Sequence, residues 1–555
     1  MRQARPQTED RAAEIAARGL TLGERLQLRR DGKERFGKID NHFTARAKIW
    51  RSWFDATGDR DAWAEFLAEE DLSETKLICL DNLAGPKRKP PAWQATLGRL
   101  CDYLQHSRSK SDSRLSVCEN LASPLVTFAW NELAACTNRS HLRLLSPQAA
   151  LKLRRSLRQR LVRTADQAAQ WEILAAAAGQ KLSMNLAPSG RSRFHDYFFS
   201  SGQSTEALRF LQNYPALARL WTVQLESWLR FVDEFLRDAN AFGRRLDGKI
   251  DNRAPMISSI EPDLSDPHEG NRTVMRVRFG KDREWFYKPR HGLQERAWFE
   301  LLRWINIRGF ARPLQILTVA CEDRHCWMEG ARPRQCRNRK EAADFCFRFG
   351  ALACLVHVLR GVDIHPANIV ASGDQPVVVD CETLLHPVTA LPEYARDEDA
   401  SIARTGMLVV LRVPGIVSSK SENVLAEVVE GFRDMHDFLR HRAVSAYLEK
   451  WRNRLQKIPG RNVYRPTAHY YEILKASTVP SLLTSGSERS LYLRARCRKD
   501  CSSLRRIHSE VRALENADIP VFRSKHRRIK IDLSERTLEE SVASITLYQG
   551  NHVQR

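Results

Sequence analysis

No apolar stretch opens this chain. Its first residues, Met1-Arg2-Gln3-Ala4-Arg5-Pro6-Gln7-Thr8-Glu9-Asp10, lack the hydrophobic region of a secretory signal. No run elsewhere approaches the roughly eighteen apolar residues of a membrane span. A cytoplasmic location is therefore expected, in keeping with cysteines that show no disulfide framework. Zinc half-sites are also scarce. The closest approaches, Cys321 with Cys326 and Cys497 with Cys501, have no second half-site, so the 12 cysteines read as mainly buried or incidental thiols. Internal repeats and long low-complexity tracts are absent. Acidic residues are in deficit, 67 Asp and Glu against 89 Lys and Arg, for a net charge of +22. Such a surface attracts polyanions, yet no zinc finger, RNP signature or basic-aromatic stacking array points to nucleic acid.

With 555 residues, 43% hydrophobic content and 13 tryptophans, the chain can bury large cores in two to four domain-sized units. Leu20 to Leu26 opens an amphipathic segment. Ser146-Pro147 reads as an N-cap followed by Pro at N1, with the helix continuing through Ala149-Ala150-Leu151 towards Trp171 and the Ala175 to Ala178 run. On that helix Leu151, Leu153, Leu157, Leu161 and Val162 form the buried side. Its cations, Lys152, Arg154, Arg155, Arg158, Arg160 and Arg163, read as a solvated face. Pro86-Lys87-Arg88-Lys89-Pro90-Pro91 reads as an extended basic connector. Between Asn252 and Arg290 the pattern turns strand-like, with Val274, Arg276 and Arg278 alternating against Met275, Val277 and Phe279. The expected class is α+β: a largely helical region over 1–245, a kinase-like core over 246–420 and helices over 421–555.

Chemistry concentrates in Asp363-Ile364-His365-Pro366-Ala367-Asn368 and, shortly after it, Val377-Val378-Val379-Asp380-Cys381-Glu382. A β-branched run ending in an acidic residue reads as a strand that delivers a carboxylate to its own end. Asn368 stands on the preceding loop. Asn and Asp oxygens so placed are hard ligands for Mg²⁺. Phosphoryl transfer asks little covalent help of a protein: an Asp for the acceptor hydroxyl, metal ligands and a Lys for phosphate nearly suffice. Lys288, in Trp285-Phe286-Tyr287-Lys288-Pro289-Arg290, is the candidate cation on a strand whose ladder Pro289 soon ends. A helical pattern from Gln294 to Ile305 (Ala297, Leu301, Trp304, Ile305) follows, and either Glu295 or Glu300 is placed to pair with the lysine. No GxGxxG loop precedes Lys288, which speaks against an ordinary protein kinase.

At these residues the chain resembles the dehydratase domain of class II lanthipeptide synthetases, the LanM enzymes. The resemblance rests on ordered motifs: Asp266-Pro267-His268, Tyr287-Lys288-Pro289-Arg290, Asp363-x-His365-x-x-Asn368, Asp380-Cys381-Glu382-Thr383-Leu384, Arg461-Asn462-Val463-Tyr464-Arg465-Pro466-Thr467 and Asp518-Ile519-Pro520. Together they run from Asp266 to about Phe522. The resemblance implies a fold similar to lipid kinases, and an ATP- and Mg²⁺-dependent enzyme. It phosphorylates Ser and Thr of a precursor peptide and then eliminates phosphate to leave dehydroalanine or dehydrobutyrine.

Position by position, the resemblance assigns Lys288, Asp363, His365, Asn368, Asp380 and Glu382 to phosphorylation, and Asp266, His268, Arg461 and Thr467 to elimination. Arg461, with Arg465 as a second candidate, suits bidentate capture of the departing phosphate. Asp266 or His268 suits the proton transfer, without the sequence choosing between them. Two departures stand in the first loop: Ser265 and Asn271 occupy places where the family carries glycine, with Gly270 displaced by one. Asn tolerates positive φ, so the turn can persist. Ala403-Arg404-Thr405-Gly406-Met407 follows the family, whereas Val409-Val410-Leu411-Arg412 lacks its Leu-Pro continuation. The sequence finishes at Arg555, soon after the last motif, so no zinc and no cyclase are expected in this chain, and a separate cyclase is a candidate partner. An acidic leader on the precursor would match the positive charge. The alternatives are a peptide or small-molecule kinase without elimination and an inactive leader-binding remnant.

Overall fold

The computed structural model describes residues 5–30, 41–58, 61–81, 91–179, 195–247, 254–280, 283–386, 402–408, 423–499, 501, 503–525 and 531–550. Helices dominate, with small sheets among them, an α+β composition. Residues 86–90 of the basic connector and 409–412 lie outside the described residues. No described helix is long and apolar enough to cross a membrane. The cysteines are free thiols, most of them buried. The chain divides into two compact units: Met1–Thr273 with Arg278–Asp282 and Thr467–Pro520, and Val274–Val277 with Arg283–Pro466 and Val521–Arg555.

In the first unit the helix Pro147–Gly179 begins where Pro at N1 directs, and Ser146 Oγ accepts from the Ala149 N–H at 3.1 Å. Leu153, Leu157 and Leu161 are buried along one stripe, while Leu151 is exposed and Val162 half-buried. Arg160 departs from the solvated face expected of it. It is buried, forms an ion pair with Asp263 and donates to Asn271 O at 2.6 Å and Thr273 Oγ1 at 3.0 Å. A guanidinium can leave water only where such partners replace its hydration, and sequence spacing carries no sign of Asp263. Strand β1 (Ile257–Glu261) meets the entry to this helix through a parallel bridge from Ile257 to Leu145. Strand β2 (Met275–Phe279) alternates as expected, with Met275, Val277 and Phe279 buried.

In the second unit, β3 (Arg283–Lys288) pairs antiparallel with β5 (Cys326–Glu329), and β5 with β4 (Val319–Cys321). The ladder reaches Lys288 opposite Cys326 and stops before Pro289. Gly292 then turns the chain at φ 63° into the helix Leu293–Ile307. A Cβ there would lie 2.3 Å from Cys326 Sγ, so glycine is needed for space as well as for backbone. Leu301 and Ile305 are buried beneath this helix, and Trp304 stacks on Tyr447 at 3.8 Å.

The core of this unit is the crossing of helices Arg339–Val358 and Asn423–Arg440. Glycine sits on both sides of it. A Cβ on Gly350 would lie 1.9 Å from Val428 O, and one on Gly431 would lie 1.9 Å from Phe347 O. The backbones therefore pack without intervening side chains, and the helix contributed by Arg339–Val358 leads directly to the Asp363 loop. Gly431→Ala should lower unfolding stability by at least ~2 kcal/mol, the scale of overpacking a filled core. Urea unfolding of the variant at wild-type stability would contradict this close crossing.

Candidate active site

A hairpin explains the spacing between Asn368 and Asp380. Strands β6 (Ile369–Ser372) and β7 (Gln375–Val378) pair antiparallel with Ile369 opposite Val378. The flanking residues are thus brought face to face, and the Val379 N–H donates to Asn368 O at 2.9 Å. Asp380 follows immediately, so the residues that the sequence separates meet at the open end of the hairpin. On the same side Asp363 adopts φ 60°, a left-handed conformation uncommon outside glycine. Neighbouring bonds hold it there: Asn368 Nδ2 donates to Asp363 O at 2.8 Å, Ile364 N to Thr405 O at 2.8 Å, and Thr383 Oγ1 to Val362 O. His365 begins the short 3₁₀ turn Pro366–Asn368, its Nδ1 accepting from the Ala367 N–H at 3.3 Å.

Lys288 is buried and donates from Nζ to Val379 O at 2.6 Å and to Glu295 Oε1 at 3.2 Å. The choice between two glutamates is thereby settled in favour of Glu295, while Glu300 meets Arg454 at 3.1 Å. Arg290 lies at the centre of the cluster. Its Nη2 reaches Glu295 at 2.5 Å and Asp380 at 2.9 Å, and its Nη1 reaches Glu382 at 2.7 Å. Glu382 also accepts from Arg461 Nη1 at 2.8 Å and lies 3.8 Å from Arg523. Those two arginines are opposite each other where β8 (Gly460–Asn462) pairs with β9 (Phe522–Ser524). Like charges so paired repel, and Glu382 supplies the compensating charge. Gln294 Nε2 donates to Glu382 O at 3.3 Å and to Pro459 O at 3.2 Å.

Burial opposes ionisation of Glu382, yet Arg290, Arg461 and Arg523 outweigh it and hold the carboxyl well below the usual range. Glu295 is held down in the same way against burial by Arg290 and Lys288. Burial works against the charge of Lys288, but Glu295 more than offsets it and the ammonium is raised. Asp363 behaves differently. Its residue surface is open to solvent, but nearby protein crowds the carboxyl; lost hydration pushes it up, Asp380 and Glu382 add to this, and Arg461 and His365 oppose it. One carboxyl thus leans towards taking a proton amid others held ionised.

Asn368 and Asp380 offer oxygen donors of the kind Mg²⁺ prefers. Among the described residues no group of three or more His, Cys, Asp or Glu could hold a metal unaided. A cation between these two residues would complete its shell with water and phosphate oxygens, the ordinary habit of Mg²⁺, so the donor set fits.

Asp266, His268 and Thr467 belong to the first unit. There His268 and Arg272 close a turn with bonds of 3.0 Å in both directions, across Glu269, Gly270 and Asn271 at φ 49°, 98° and 61°. Asn271 accepts the left-handed conformation that its residue type tolerates. Asp518 clamps the turn from outside it, accepting from the Gly270 N–H at 2.7 Å and the Asn271 N–H at 3.3 Å. Burial pushes that carboxyl up to about 7 despite both donors. His268 Nδ1 bonds Ile519 O at 2.9 Å, and Ile519 N donates to Pro267 O at 2.9 Å. Thr467 is the first residue of the helix Thr467–Ala476.

Sequence reasoning missed Arg523 and gave Arg290 no role. In a chain with 89 Lys and Arg, neither stands out; only Arg290's place within the Tyr-Lys-Pro-Arg motif offered a signal. Arg461, the candidate for phosphate capture, has a side chain only 16% exposed.

With this geometry in view, comparison places the chain in a family. It belongs to the DUF4135 family, described as a domain of unknown function, whose model matches residues 214–424 and 415–525. It is also similar to the lacticin 481/lactococcin biosynthesis protein LcnDR2 of Lactococcus lactis subsp. lactis, at 20% identity over 268 residues. That match covers 44% of this chain and 28% of the relative, so less than a third of the relative's length is spanned. Both findings accord with the motifs' resemblance to the dehydratase region of class II lanthipeptide synthetases.

Glu382→Gln should cost about 3 kcal/mol of stability, the scale of breaking a buried ion pair. The carboxylate is held below its unfolded value of 4.5, so its contribution is present above that pH and is lost as pH falls through the folded value. Wild type should therefore lose, on acidification below 4.5, an increment that Glu382→Gln never had. Parallel stability curves for the two proteins across that range would contradict the assignment.

Proposed function

We propose that this chain modifies a lanthipeptide precursor as a dehydratase, phosphorylating Ser and Thr with ATP and then eliminating the phosphate. The observation that carries the proposal is the β6–β7 hairpin, which sets Asn368 beside Asp380 while Val379, between the strand and that carboxylate, accepts from Lys288. A lysine at the end of a strand, paired with a glutamate on the following helix, supports the lipid-kinase-like reading of this unit. The similarity to a lacticin biosynthesis protein supports the peptide substrate.

Lys288, fixed by Glu295 and Val379 O, would hold nucleotide phosphate with its ammonium. Asn368 and Asp380 would hold Mg²⁺, which supplies charge neutralisation on the phosphates when bound. In the first step the peptide hydroxyl oxygen bonds to the γ-phosphorus, the bond to ADP breaks, and the hydroxyl proton passes to Asp363. His365 stands beside it on the same loop and fixes the turn that presents Asn368. Glu382 orders Arg290, Arg461 and Arg523 around the site. In the second step the α-proton leaves to a base, Asp266 or His268, the Cβ–O bond breaks, and a C=C bond forms as phosphate departs. Arg461 keeps donors for that phosphate, because Glu382 takes Nη1 and a guanidinium carries five N–H groups. Thr467 adds a hydroxyl and a helix-terminal N–H. The excess of cations, +22 overall, suits a precursor with an acidic leader.

Variants separate the two steps. Asp380→Asn and Lys288→Ala should abolish both phosphopeptide and dehydrated peptide with the circular dichroism of wild type retained. Arg461→Ala and Thr467→Ala should let phosphopeptide accumulate, with phosphate release reduced on the order of a hundredfold or more, as for removal of a transition-state donor. Mass spectrometry of the precursor distinguishes these species. Wild-type dehydration by Asp380→Asn would overturn the phosphorylation site, and a wild-type enzyme that stops at phosphopeptide would favour the kinase-only reading.

A further inference from the structure

In the first unit, one hydrogen bond is not needed to hold the Asp266 loop together. The turn is closed by the paired His268 and Arg272 bonds, clamped by Asp518 at Gly270 and Asn271, and tied through Ile519 to both His268 and Pro267. Arg160 adds a further tie at Asn271 O. Even so, the Tyr471 hydroxyl donates to Asp266 Oδ1 at 2.9 Å. This bond goes to the carboxylate itself, whereas the ties that hold the loop go to its backbone or to His268.

The helix carrying Tyr471 explains how it arrives there. On Thr467–Ala476, Tyr470 and Ile473 face the core, with the Tyr470 hydroxyl donating to Glu510 at 2.9 Å. Tyr471, the next residue, is turned about 100° around the helix axis and stands at the surface with 36% exposure. Thr467 lies one turn earlier on the same face as Tyr471, at i and i+4. Gln167 Nε2 bonds Lys475 O at 2.8 Å and so fixes this helix against Pro147–Gly179. Burial and the neighbouring Asp266 carboxylate push the Tyr471 phenol up, against the opposing pull of Arg163, one turn before Gln167. The residue therefore stands where Asp266 and the Thr467 face meet, on a helix that is itself anchored.

We infer that Tyr471 is a positioning residue for phosphate elimination, holding the Asp266 carboxylate by Oδ1 in the orientation that elimination uses. The inference rests on the proposed dehydratase reading. Tyr471 forms no bond to substrate and exchanges no proton; it fixes the rotamer of the carboxylate and leaves Oδ2 for the reacting peptide. Its tyrosine ring remains in Tyr471→Phe, and only the hydroxyl is removed.

The experiment follows phosphate release from a synthetic phosphoserine form of the precursor peptide, with no ATP required. Tyr471→Phe should lower kcat for release about tenfold, with KM and thermal midpoint unchanged. The double variant Tyr471→Phe with Asp266→Asn should be no slower than Asp266→Asn alone, because a residue that acts only through another adds nothing once that partner is gone. Release at the wild-type rate by Tyr471→Phe, with Asp266→Asn impaired, would overturn the positioning role and leave the elimination reading standing. Additive losses in the double variant would likewise overturn it. Wild-type release by Asp266→Asn would overturn the positioning role and leave His268 as the base, whereas a wild-type protein that releases no phosphate would overturn the elimination reading itself.

Discussion

A buried guanidinium holds the charge balance of the second unit. Arg290 contacts Glu295, Asp380 and Glu382 from two nitrogens, and each of those carboxylates has a further duty: Glu295 to Lys288, Glu382 to Arg461 and Asp380 to the open end of the hairpin. Out of water, none of these charges is tolerable alone, and removal of one leaves others uncompensated. That requirement couples the strand end at Lys288, the β6–β7 hairpin and the β8–β9 pair, elements that no single hydrophobic contact would bring into register. It also keeps Glu295 and Glu382 ionised against burial, with Asp363 pushed the other way at the edge of the network.

Asp380 is the carboxylate on Arg290 with the most solvent access, its side chain 29% exposed. A cation placed on it would compete with Arg290 for the same carboxylate. Under the proposed function this makes Arg290 a stand-in counter-ion, whose contact at 2.9 Å orients the Asp380 carboxylate for the cation. In the first unit the organisation differs. The Asp266 loop is held mainly by hydrogen bonds to its backbone and by Asp518, a carboxyl that burial pushes up to about 7, with Arg272 also paired to Glu234 at 2.6 Å.

Local chemistry was legible in the sequence where one residue decides one local feature. Ser146 with Pro147 announced a helix start, Pro289 the end of a ladder, and the alternation from Met275 to Phe279 a strand with one buried face. Asn368 and Asp380 were readable as partners because a run of β-branched residues precedes the second, although the hairpin that joins them was not foreseen. Long-range charge pairing was not legible. Glu295 and Glu300 lie on the same short helix, and only the entry angle set at Gly292 gives the first to Lys288. Arg160 follows the spacing of its solvated neighbours, and it is buried because Asp263, 103 residues further along the chain, returns to meet it. The three-residue strands Gly460–Asn462 and Phe522–Ser524 are too short for any periodic signal, so Arg523 was invisible beside Arg461.

The most direct test of the central claim is the fate of a precursor peptide incubated with the wild-type protein, ATP and Mg²⁺. The peptide to use is a Ser- and Thr-containing lanthipeptide precursor. Intact-mass spectrometry, read alongside ADP and inorganic phosphate, should show loss of one water for each residue modified, with ADP and phosphate released in equal amounts. A peptide that keeps its original mass while ATP is untouched would contradict the account, as would one that ends as a stable phosphopeptide with no phosphate set free.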